Sequence, residues 1–319
     1  MTTYAITAED VRSAAARIAP FIHRTPTLTN ETLSKLAGRE LAFKCENLQK
    51  TGSFKYRGAT NAVRMLDDAE ATRGVVTHSS GNHAQALAKA AAVRGIPVTV
   101  VMPRTASPIK KQAVLGYGAT VIDCEPTLAD RERTAGETVA KTGGTLIPPF
   151  DHADVMAGQG TLALELLADA PNLGALIVPV GGGGMLSGVT IAAKALNSNI
   201  KVYGAEPLNA DDAARSFAGK VWLPQTAPNT IADGLMTSLG QLTWPIVRDR
   251  VDGIFTVTET EIVAAMRLVW ERMKLLIEPS AAVGVAVALS DAFRTAVPAD
   301  RAVGIILCGG NVTLDKLYW

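Results

Sequence analysis

Residues 74–102 of the chain read GVVTHSSGNHAQALAKAAAVRGIPVTVVM. The apolar run 74–78 predicts a buried strand, the alanine-rich run 83–94 predicts a helix that stops at Gly95, and 97–102 predicts a second strand. A strand, a helix and a strand in so short a stretch are typical of a parallel βαβ unit. This stretch therefore indicates an α/β fold built on a parallel sheet.

The same alternation continues outward along the chain, and no repeat or low-complexity linker interrupts it. It indicates a small domain, residues 68–148, inserted into a large domain formed by residues 1–67 and 149–319. Further strands are predicted at 118–122, 175–180, 201–206 and 303–308, with a further helix at 185–196.

The composition is that of an ordinary globular protein and argues against several functional classes. The chain has 319 residues, of which 48% are hydrophobic and 19% charged, enough for two lobes that each bury a core. A net charge of +1 and 5% aromatic residues argue against a surface for nucleic acid or anionic membranes. The chain has three cysteines without paired spacing, which argues against a disulfide framework. Its first residues do not resemble a signal peptide, and no apolar run approaches the ~20 residues of a membrane helix. These features predict a cytoplasmic protein.

One lysine stands in an unusual position. In the segment KTGSFKYRGA at 50–59, Ser53 is a suitable helix N-cap, which places Lys55 in the first turn of the predicted helix. The positive end of the helix dipole disfavours a cation there. Two interpretations follow: a solvated surface lysine, or a lysine whose charge is reduced by burial and by covalent bonding to a cofactor. In the second, Phe54 is placed to pack on a flat ring.

Four consecutive glycines, 181–184, lie between a predicted strand and a predicted helix. Their N–H groups can converge on one anion at the positive end of the helix dipole, so a phosphate is favoured over a simple turn. A Walker loop would continue with Gly-Lys-Ser/Thr, but Met185 and Leu186 follow here. A dinucleotide-binding fingerprint would have its third glycine at position 186, which is leucine. Glu206 does end the next strand, where a ribose-binding acid would lie, so a nucleotide is disfavoured but stays open.

Two other strand ends carry polar residues, and ligands bind open α/β sheets at the carboxyl ends of strands. Residues 79–83, SSGNH, offer hydroxyls, an amide and free N–H groups, which suit a carboxylate but equally suit helix capping. Cys308 begins the turn CGGN at 308–311 and is either a small buried residue or a weak partner for a pyridine nitrogen.

Taken together, these segments resemble the fold-type II pyridoxal-phosphate enzymes. The match points to the group of serine racemase, serine/threonine dehydratase and 3-hydroxyaspartate dehydratase, and it runs nearly from end to end. It includes ENLQKTGSFK at 46–55, AGQGT at 157–161, TIADG at 230–234 and ERMKLLIEP at 271–279. The resemblance implies a tryptophan synthase β-like fold with two open, twisted, mostly parallel sheets flanked by helices.

The resemblance also implies a cofactor site. Lys55 would bind pyridoxal phosphate covalently, Phe54 would pack against its ring, and Asn82 would hydrogen-bond its phenolic oxygen. The residues that would cradle its phosphate are Gly181, Gly182, Gly183, Gly184 and Met185. Cys308 would face the pyridine nitrogen, where serine racemases carry serine. Neither group protonates the ring as an aspartate does, which disfavours transamination.

The same resemblance implies residues that handle the substrate. Ser80 would stand opposite Lys55, so that proton exchange at Cα is possible from both sides and some racemisation is allowed. Ser79, Asn82 and His83 would hold the α-carboxylate, largely through backbone N–H groups.

A divalent cation and a second subunit are implied as well. Glu206, Asp212 and the carbonyl of Ala210 match a cation site, and such an oxygen-only set suits Mg²⁺, Mn²⁺ or Ca²⁺. In the alternative interpretation, the two acids only cap a loop. The family suggests a homodimer.

The identity of the substrate depends on fewer residues. Arg131 aligns with an arginine near the active site of serine racemase, and its fork suits a second carboxylate, although Arg133 beside it also fits an ordinary charged helix surface. The run IPPFDH at 147–152 looks more like the dehydratases. We therefore predict elimination of water from 3-hydroxyaspartate, giving oxaloacetate through iminosuccinate plus ammonia. The alternatives are an L-serine/L-threonine dehydratase and a serine racemase, while a β-replacement enzyme and a nicotinamide dehydrogenase fit less well.

Overall fold

Two open sheets form the framework of the computed structural model, which describes residues 4–315 and 317–319, apart from the side chain of Ile109. The strands are β1 Thr27–Thr29, β2 Leu41–Lys44, β3 Val75–His78, β4 Val98–Pro103, β5 Thr120–Cys124, β6 Thr145–Leu146, β7 Leu173–Pro179, β8 Lys201–Pro207, β9 Gly253–Val257 and β10 Ala302–Ile306. The larger sheet has the order β1-β2-β10-β7-β8-β9 and the smaller has β5-β4-β3-β6. All of these pairings are parallel except that of β1 with β2 at one edge. The predicted fold class is confirmed.

Helices pack on both sheets. They are α1 Ala8–Ile18, α2 Glu31–Ala37, α3 Lys55–Met65, α4 Asp68–Arg73, α5 Asn82–Arg94, α6 Pro108–Gly116, α7 Leu128–Thr142, α8 Ala153–Asp169, α9 Gly184–Leu196, α10 Asp212–Gly219, α11 Thr243–Arg250, α12 Glu259–Met273, α13 Pro279–Leu289 and α14 Asp291–Ala296. α13 reads PSAAVGVAVAL and is apolar on all sides, so it lies buried against β7, β8, β9 and β10. α3 packs between α5 and α8, which places its first residues at the junction of the two sheets.

The predicted elements are present, with ends that shift by a few residues. The strand predicted at 118–122 is β5, and the helix predicted from residue 185 starts at Gly184. The prediction that Ser53 caps α3 is wrong. Ser53 is extended and pairs with Gly309, its hydroxyl has no hydrogen-bond partner in the described structure, and Phe54 is the N-cap of a helix that begins at Lys55.

The smaller sheet lies within the predicted inserted domain, since its strands span residues 75–146. The boundaries at residues 68 and 148 stay predictions. The three cysteines are buried and form no disulfide. None of the helices in the described ranges is long and apolar enough to cross a membrane.

Candidate active site

Lys55 is held at the end of β10 by the backbone that precedes it. The Phe54 N–H donates to the Cys308 carbonyl at 3.0 Å, and Ser53 pairs with Gly309. The Lys55 amine donates to the carbonyl oxygen of Pro149 at 2.6 Å and lies 5.1 Å from the centroid of the Phe54 ring. Of the two interpretations of Lys55, this geometry fits a functional lysine and not a solvated surface one.

Burial changes the acid–base behaviour of this lysine. It lowers the pKa of the Lys55 amine from 10.5 to about 8, although the nearby Cys308 and Glu278 act in the opposite direction. Burial also raises the pKa of the Cys308 thiol, so the thiol is neutral. A lysine with such a pKa has an appreciable neutral fraction near neutral pH, which is what attack on a carbonyl carbon requires.

A buried ion-pair network anchors α3 two residues beyond Lys55. The Arg57 guanidinium is fully buried and donates to both carboxylate oxygens of Glu46 at 2.8 Å. It also donates to both oxygens of Glu165, at 2.7 and 2.8 Å, and Lys44 donates to Glu165 at 2.6 Å. These bidentate pairs offset the desolvation of the charges and fix the start of the helix rigidly.

The glycine loop precedes α9 and is packed tightly on one side. Gly183 has a φ of 83°, which favours glycine. A Cβ on Gly182 would overlap the ring of Phe150, and a Cβ on Gly184 would lie 2.8 Å from the Phe150 carbonyl oxygen. The loop therefore has no room for side chains toward Phe150.

The opposite, polar side of this loop fits a phosphate. The five amide N–H groups of residues 181–185 have no hydrogen-bond acceptor within the described ranges. They lie at the N-terminus of the 13-residue helix α9, where the helix dipole is positive. Free N–H groups in this arrangement are suited to an anion such as the phosphate of pyridoxal phosphate.

Asn82 lies at the start of α5 and meets residues from the larger sheet. Its Nδ2 donates to the two carboxylate oxygens of Glu278 at 2.9 and 3.2 Å. Its Oδ1 accepts from Asn311 Nδ2 at 2.8 Å. Asn311 lies in the turn that starts at Cys308, so the predicted cofactor residues Asn82, Cys308 and Lys55 border one region.

The other residues predicted to contact the substrate surround the same helix terminus. The Ser79 hydroxyl accepts from the Gly81 N–H at 3.3 Å, while Ser80 is half-buried and its hydroxyl has no partner among the described residues. His83 is buried with Nε2 3.0 Å from the Ile147 carbonyl oxygen. Burial lowers the pKa of His83 to about 3, so its imidazole is neutral and donates from Nε2.

Arg131 lies apart from the lysine, on α7 beside the smaller sheet. Its Nε donates to the Thr127 carbonyl at 3.4 Å, and it has no carboxylate partner in the described structure, whereas Arg133 pairs with Asp130 and Glu137. Burial lowers the pKa of His78, and the positive charge of Arg131 acts in the same direction. α7, which carries Arg131, packs against β3, and β3 ends at His78, two residues before Ser80.

The predicted cation ligands form a buried acidic pair. Glu206 accepts from the N–H groups of Ala213 and Ala214 at 3.0 and 2.8 Å, as a cap of α10 would. Asp212 accepts from the Leu239 N–H at 3.3 Å, while its Oδ1 is buried without a described partner. Burial, and then the charge of Asp212, raises the pKa of Glu206 well above its usual value. The described residues include no group of three or more His, Cys, Asp or Glu side chains suited to a metal.

Three contacts of this site were not predicted from the sequence: the Pro149 carbonyl, Glu278 and Asn311. Asn311 follows two glycines at a strand end, which is a signal of the kind that singled out residues 79–83. Glu278 precedes Pro279 at the start of α13, where an acidic residue is usual, so its sequence position alone suggests only a helix terminus.

Comparison with known proteins agrees with this geometry. Residues 18–309 match the family model "Pyridoxal-phosphate dependent enzyme". The chain is 52% identical to the serine racemase of Dictyostelium discoideum over 98% of this chain and 97% of that protein. It is 53% identical to the serine racemase of Homo sapiens over 99% and 94% of the two chains.

Solved structures give the same result. The maize serine racemase superposes with a TM-score of 0.97 at 46% identity, covering 99% of this chain and 96% of that one. A pyridoxal 5'-phosphate-dependent aspartate racemase gives 0.95 at 42% identity and full coverage of both chains. A threonine deaminase from T.th. gives 0.92 at 44% identity, covering 98% and 100%. The chain belongs to the pyridoxal-phosphate-dependent enzymes of fold type II and, within them, to the racemase and dehydratase class.

Proposed function

We propose that this enzyme exchanges the Cα proton of L-serine, racemising it and in part eliminating its β-hydroxyl to form a keto acid and ammonia. The full-length similarity to serine racemases, at 52% identity for one of them, carries this proposal. The sequence alone favoured 3-hydroxyaspartate as the substrate. We now rank serine first, because none of the relatives described above is named for 3-hydroxyaspartate.

The proposed proton carriers are Lys55 and Ser80. When bound, pyridoxal phosphate supplies an electron sink that acidifies the Cα–H bond of an attached amino acid. The Lys55 amine, with its lowered pKa, would take and return that proton on one face. The half-buried Ser80 hydroxyl would do so on the other. Racemisation needs one carrier on each face, whereas loss of the β-hydroxyl needs a single base.

The proposed carboxylate site is the N-terminus of α5. Backbone N–H groups there, together with the Ser79 hydroxyl, would hold the α-carboxylate. The His83 imidazole supports this turn through its hydrogen bond to the Ile147 carbonyl. Because the imidazole is neutral, it adds no positive charge to the carboxylate site.

A cation bound by Glu206, Asp212 and the Ala210 carbonyl is part of the proposal. Two neighbouring buried carboxyl groups and one buried oxygen without a described partner fit a divalent ion, because a cation would relieve both features. Asp212 accepts from the N–H of Leu239, whose side chain packs against Gly183 of the glycine loop, so the ion would stabilise the fold beside that loop. A homodimer and a cytoplasmic location stay predictions.

A second candidate substrate class has a β-carboxylate, as 3-hydroxyaspartate does. Arg131 supports it, because Arg131 lies on α7, which packs against β3, and has no carboxylate partner among the described residues. The similarity to an enzyme named aspartate racemase also supports it. In this case water would be eliminated from 3-hydroxyaspartate.

The deciding experiment measures kcat/KM with Mg²⁺ present for L-serine, D-serine, L-threonine, L-aspartate and the threo and erythro forms of 3-hydroxyaspartate. We expect L-serine to give D-serine and to have the highest value. Ser80→Ala should reduce racemisation of L-serine at least about tenfold more than keto-acid formation from it. A dominant value for either 3-hydroxyaspartate would replace the first proposal with the second.

Two arginine variants separate the candidates further. If a β-carboxylate is bound, Arg131→Ala should lower kcat/KM for 3-hydroxyaspartate by roughly tenfold to a hundredfold and leave the value for L-serine nearly unchanged. Arg133→Ala is the matched control, because Arg133 lies on the same helix and pairs, among the residues that the structure describes, only with Asp130 and Glu137. Equal losses in both variants would exclude a specific role of Arg131.

A further inference from the structure

Glu278 is a buried acid that the proposed function does not use. It is 4% exposed and precedes α13, with its N–H donating to the Gly309 carbonyl at 3.0 Å. Its Oε2 accepts from the Asn311 N–H at 3.1 Å. A Cβ on Gly309 would lie 2.6 and 2.8 Å from the two carboxylate oxygens, so the glycine at this position lets the acid approach the turn that starts at Cys308.

Glu278 and Asn311 together hold both ends of the Asn82 amide. The end of Asn82 that faces Glu278 is Nδ2, because Asn311 donates a hydrogen bond to the other end of the amide. Asn311 Nδ2 also donates to the Thr51 carbonyl at 2.8 Å, which identifies it as the donor to Asn82 Oδ1. The amide of Asn82 thus has a single orientation, and Nδ2 retains one N–H for a further acceptor.

We propose that Glu278 is a positioning residue of the cofactor site, which orients the Asn82 amide so that its remaining N–H is available to the phenolic oxygen of pyridoxal phosphate. This inference rests on the cofactor of the family and not on the choice of serine as substrate. It also does not depend on which residues carry the Cα proton.

The charges around Glu278 couple it to the lysine. The charge of Glu278 interacts with the Lys55 amine and the Cys308 thiol, and also with Asp233, Lys110 and Tyr318. Burial, and then the charge of Asp233, raises the pKa of Glu278 to about 8, while the Asn311 N–H, Asn82 and Lys110 act in the opposite direction. The same acid therefore orients Asn82 and acts on the charge of Lys55.

A purely structural role predicts a different result from a positioning role. If Glu278 only capped α13, its removal would destabilise the protein but leave the electronic properties of the bound cofactor unchanged. If it orients Asn82, its removal changes the hydrogen bond to the phenolic oxygen, and with it the visible absorption band of the holoenzyme and the pH midpoint of that band.

The test compares Glu278→Gln, Glu278→Ala and Asn311→Ala with Val283→Ala, which removes buried apolar atoms from the same helix α13. Affinity of the apoenzyme for pyridoxal phosphate is measured by equilibrium dialysis, and the visible band of each holoenzyme is titrated with pH. We expect about a tenfold loss of affinity and a shifted pH midpoint for Glu278→Ala and Asn311→Ala. Glu278→Gln, which can still accept from Asn82, should recover most of the affinity.

The controls make the outcome decisive. Val283→Ala should lower the midpoint of thermal unfolding without changing affinity or the band. If Glu278→Gln and Asn311→Ala both match wild type in affinity and pH midpoint, the positioning role is wrong, even if Glu278→Ala does not fold. Failure to racemise serine would overturn the proposed function and leave this inference in place, because both measurements are made without substrate.

Discussion

The Lys55 amine lies 2.6 Å from the carbonyl oxygen of Pro149, and the next residue, Phe150, packs behind Gly182 and Gly184 of the glycine loop. One short stretch of chain therefore touches both the lysine that would bind the cofactor and the loop that would bind its phosphate. This arrangement sets the lysine and the phosphate site relative to each other. It also makes both sensitive to changes in the packing of Phe150.

Replacing Lys55 should abolish both covalent cofactor binding and turnover. Lys55→Ala should lose the visible absorption band and lower kcat/KM by roughly a thousandfold or more, because it removes the amine that would bind the aldehyde carbon. Borohydride reduction of the wild-type holoenzyme, followed by peptide mass analysis, should place the pyridoxyl group on Lys55. A label on another lysine would contradict the assignment.

Reconstitution of the apoenzyme should depend on pH through Lys55. Burial lowers the pKa of its amine to about 8, so the neutral, reactive fraction rises as pH increases through about 8 and not through 10.5. The rate of covalent capture of pyridoxal phosphate, measured by stopped-flow absorbance, should therefore approach a plateau above about pH 9. A rate that still rises steeply near pH 10 would show that the amine is not desolvated.

A methyl group in the glycine loop should disrupt phosphate binding. Gly182→Ala would overlap the Phe150 ring, so we expect a loss of stability of about 1–3 kcal/mol and at least a tenfold weaker affinity for pyridoxal phosphate. Gly136→Ala is the matched control, since Gly136 lies within α7 and its added Cβ meets no atom within 4 Å. That change should stabilise the protein by about 0.5–1 kcal/mol and leave affinity unchanged.

The parts of this site that the sequence predicts are those encoded locally. The alternation of strands and helices gives the fold class, and glycines between a strand and a helix indicate the phosphate loop. Glu278 and Asn82 are 196 residues apart in sequence, and their contact depends on how the turn after β10 meets the start of α5. No local pattern specifies such a contact.

The apolar positions of α3 illustrate a second limit. The sequence indicates a helix with one apolar face, but residues from Tyr56 to Val63 are all buried, Arg57 included. Charged residues are rarely buried without partners, and the partners of Arg57 come from two other segments. A helical pattern alone does not distinguish a buried Arg57 from an exposed one, and only the fold shows why it can be buried.

Removing the buried guanidinium should be among the most destabilising single changes in the chain. Arg57→Met leaves Glu46 and Glu165 without their bidentate partner, and we expect a loss of about 3–5 kcal/mol in urea unfolding. Arg133→Met removes an exposed arginine that also pairs with two acids, and it should change the free energy of unfolding far less, because solvent screens exposed ion pairs. Similar losses in the two variants would show that burial of Arg57 does not determine its contribution.

The acidic pair offers a test of cation binding that needs no substrate. Burial raises the pKa of Asp212 from 3.8 to about 6, so without a cation the folded state binds more protons than the unfolded state. Its contribution to stability is then present below about pH 4 and is lost as pH rises through about 6, by at most about 3 kcal/mol. A bound cation keeps the carboxylate ionised and removes this loss.

We therefore expect 1 mM Mg²⁺, compared with EDTA at about equal ionic strength, to raise the free energy of unfolding of the wild type more at pH 7 than at pH 5. Asp212→Asn should show neither the stabilisation by Mg²⁺ nor its pH dependence, because it removes one anionic ligand and the titrating group together. Asp211→Asn is the matched control, since Asp211 is the neighbouring acid and pairs with Arg215 instead. Equal stabilisation of wild type and Asp212→Asn by Mg²⁺ would place any cation elsewhere on the protein.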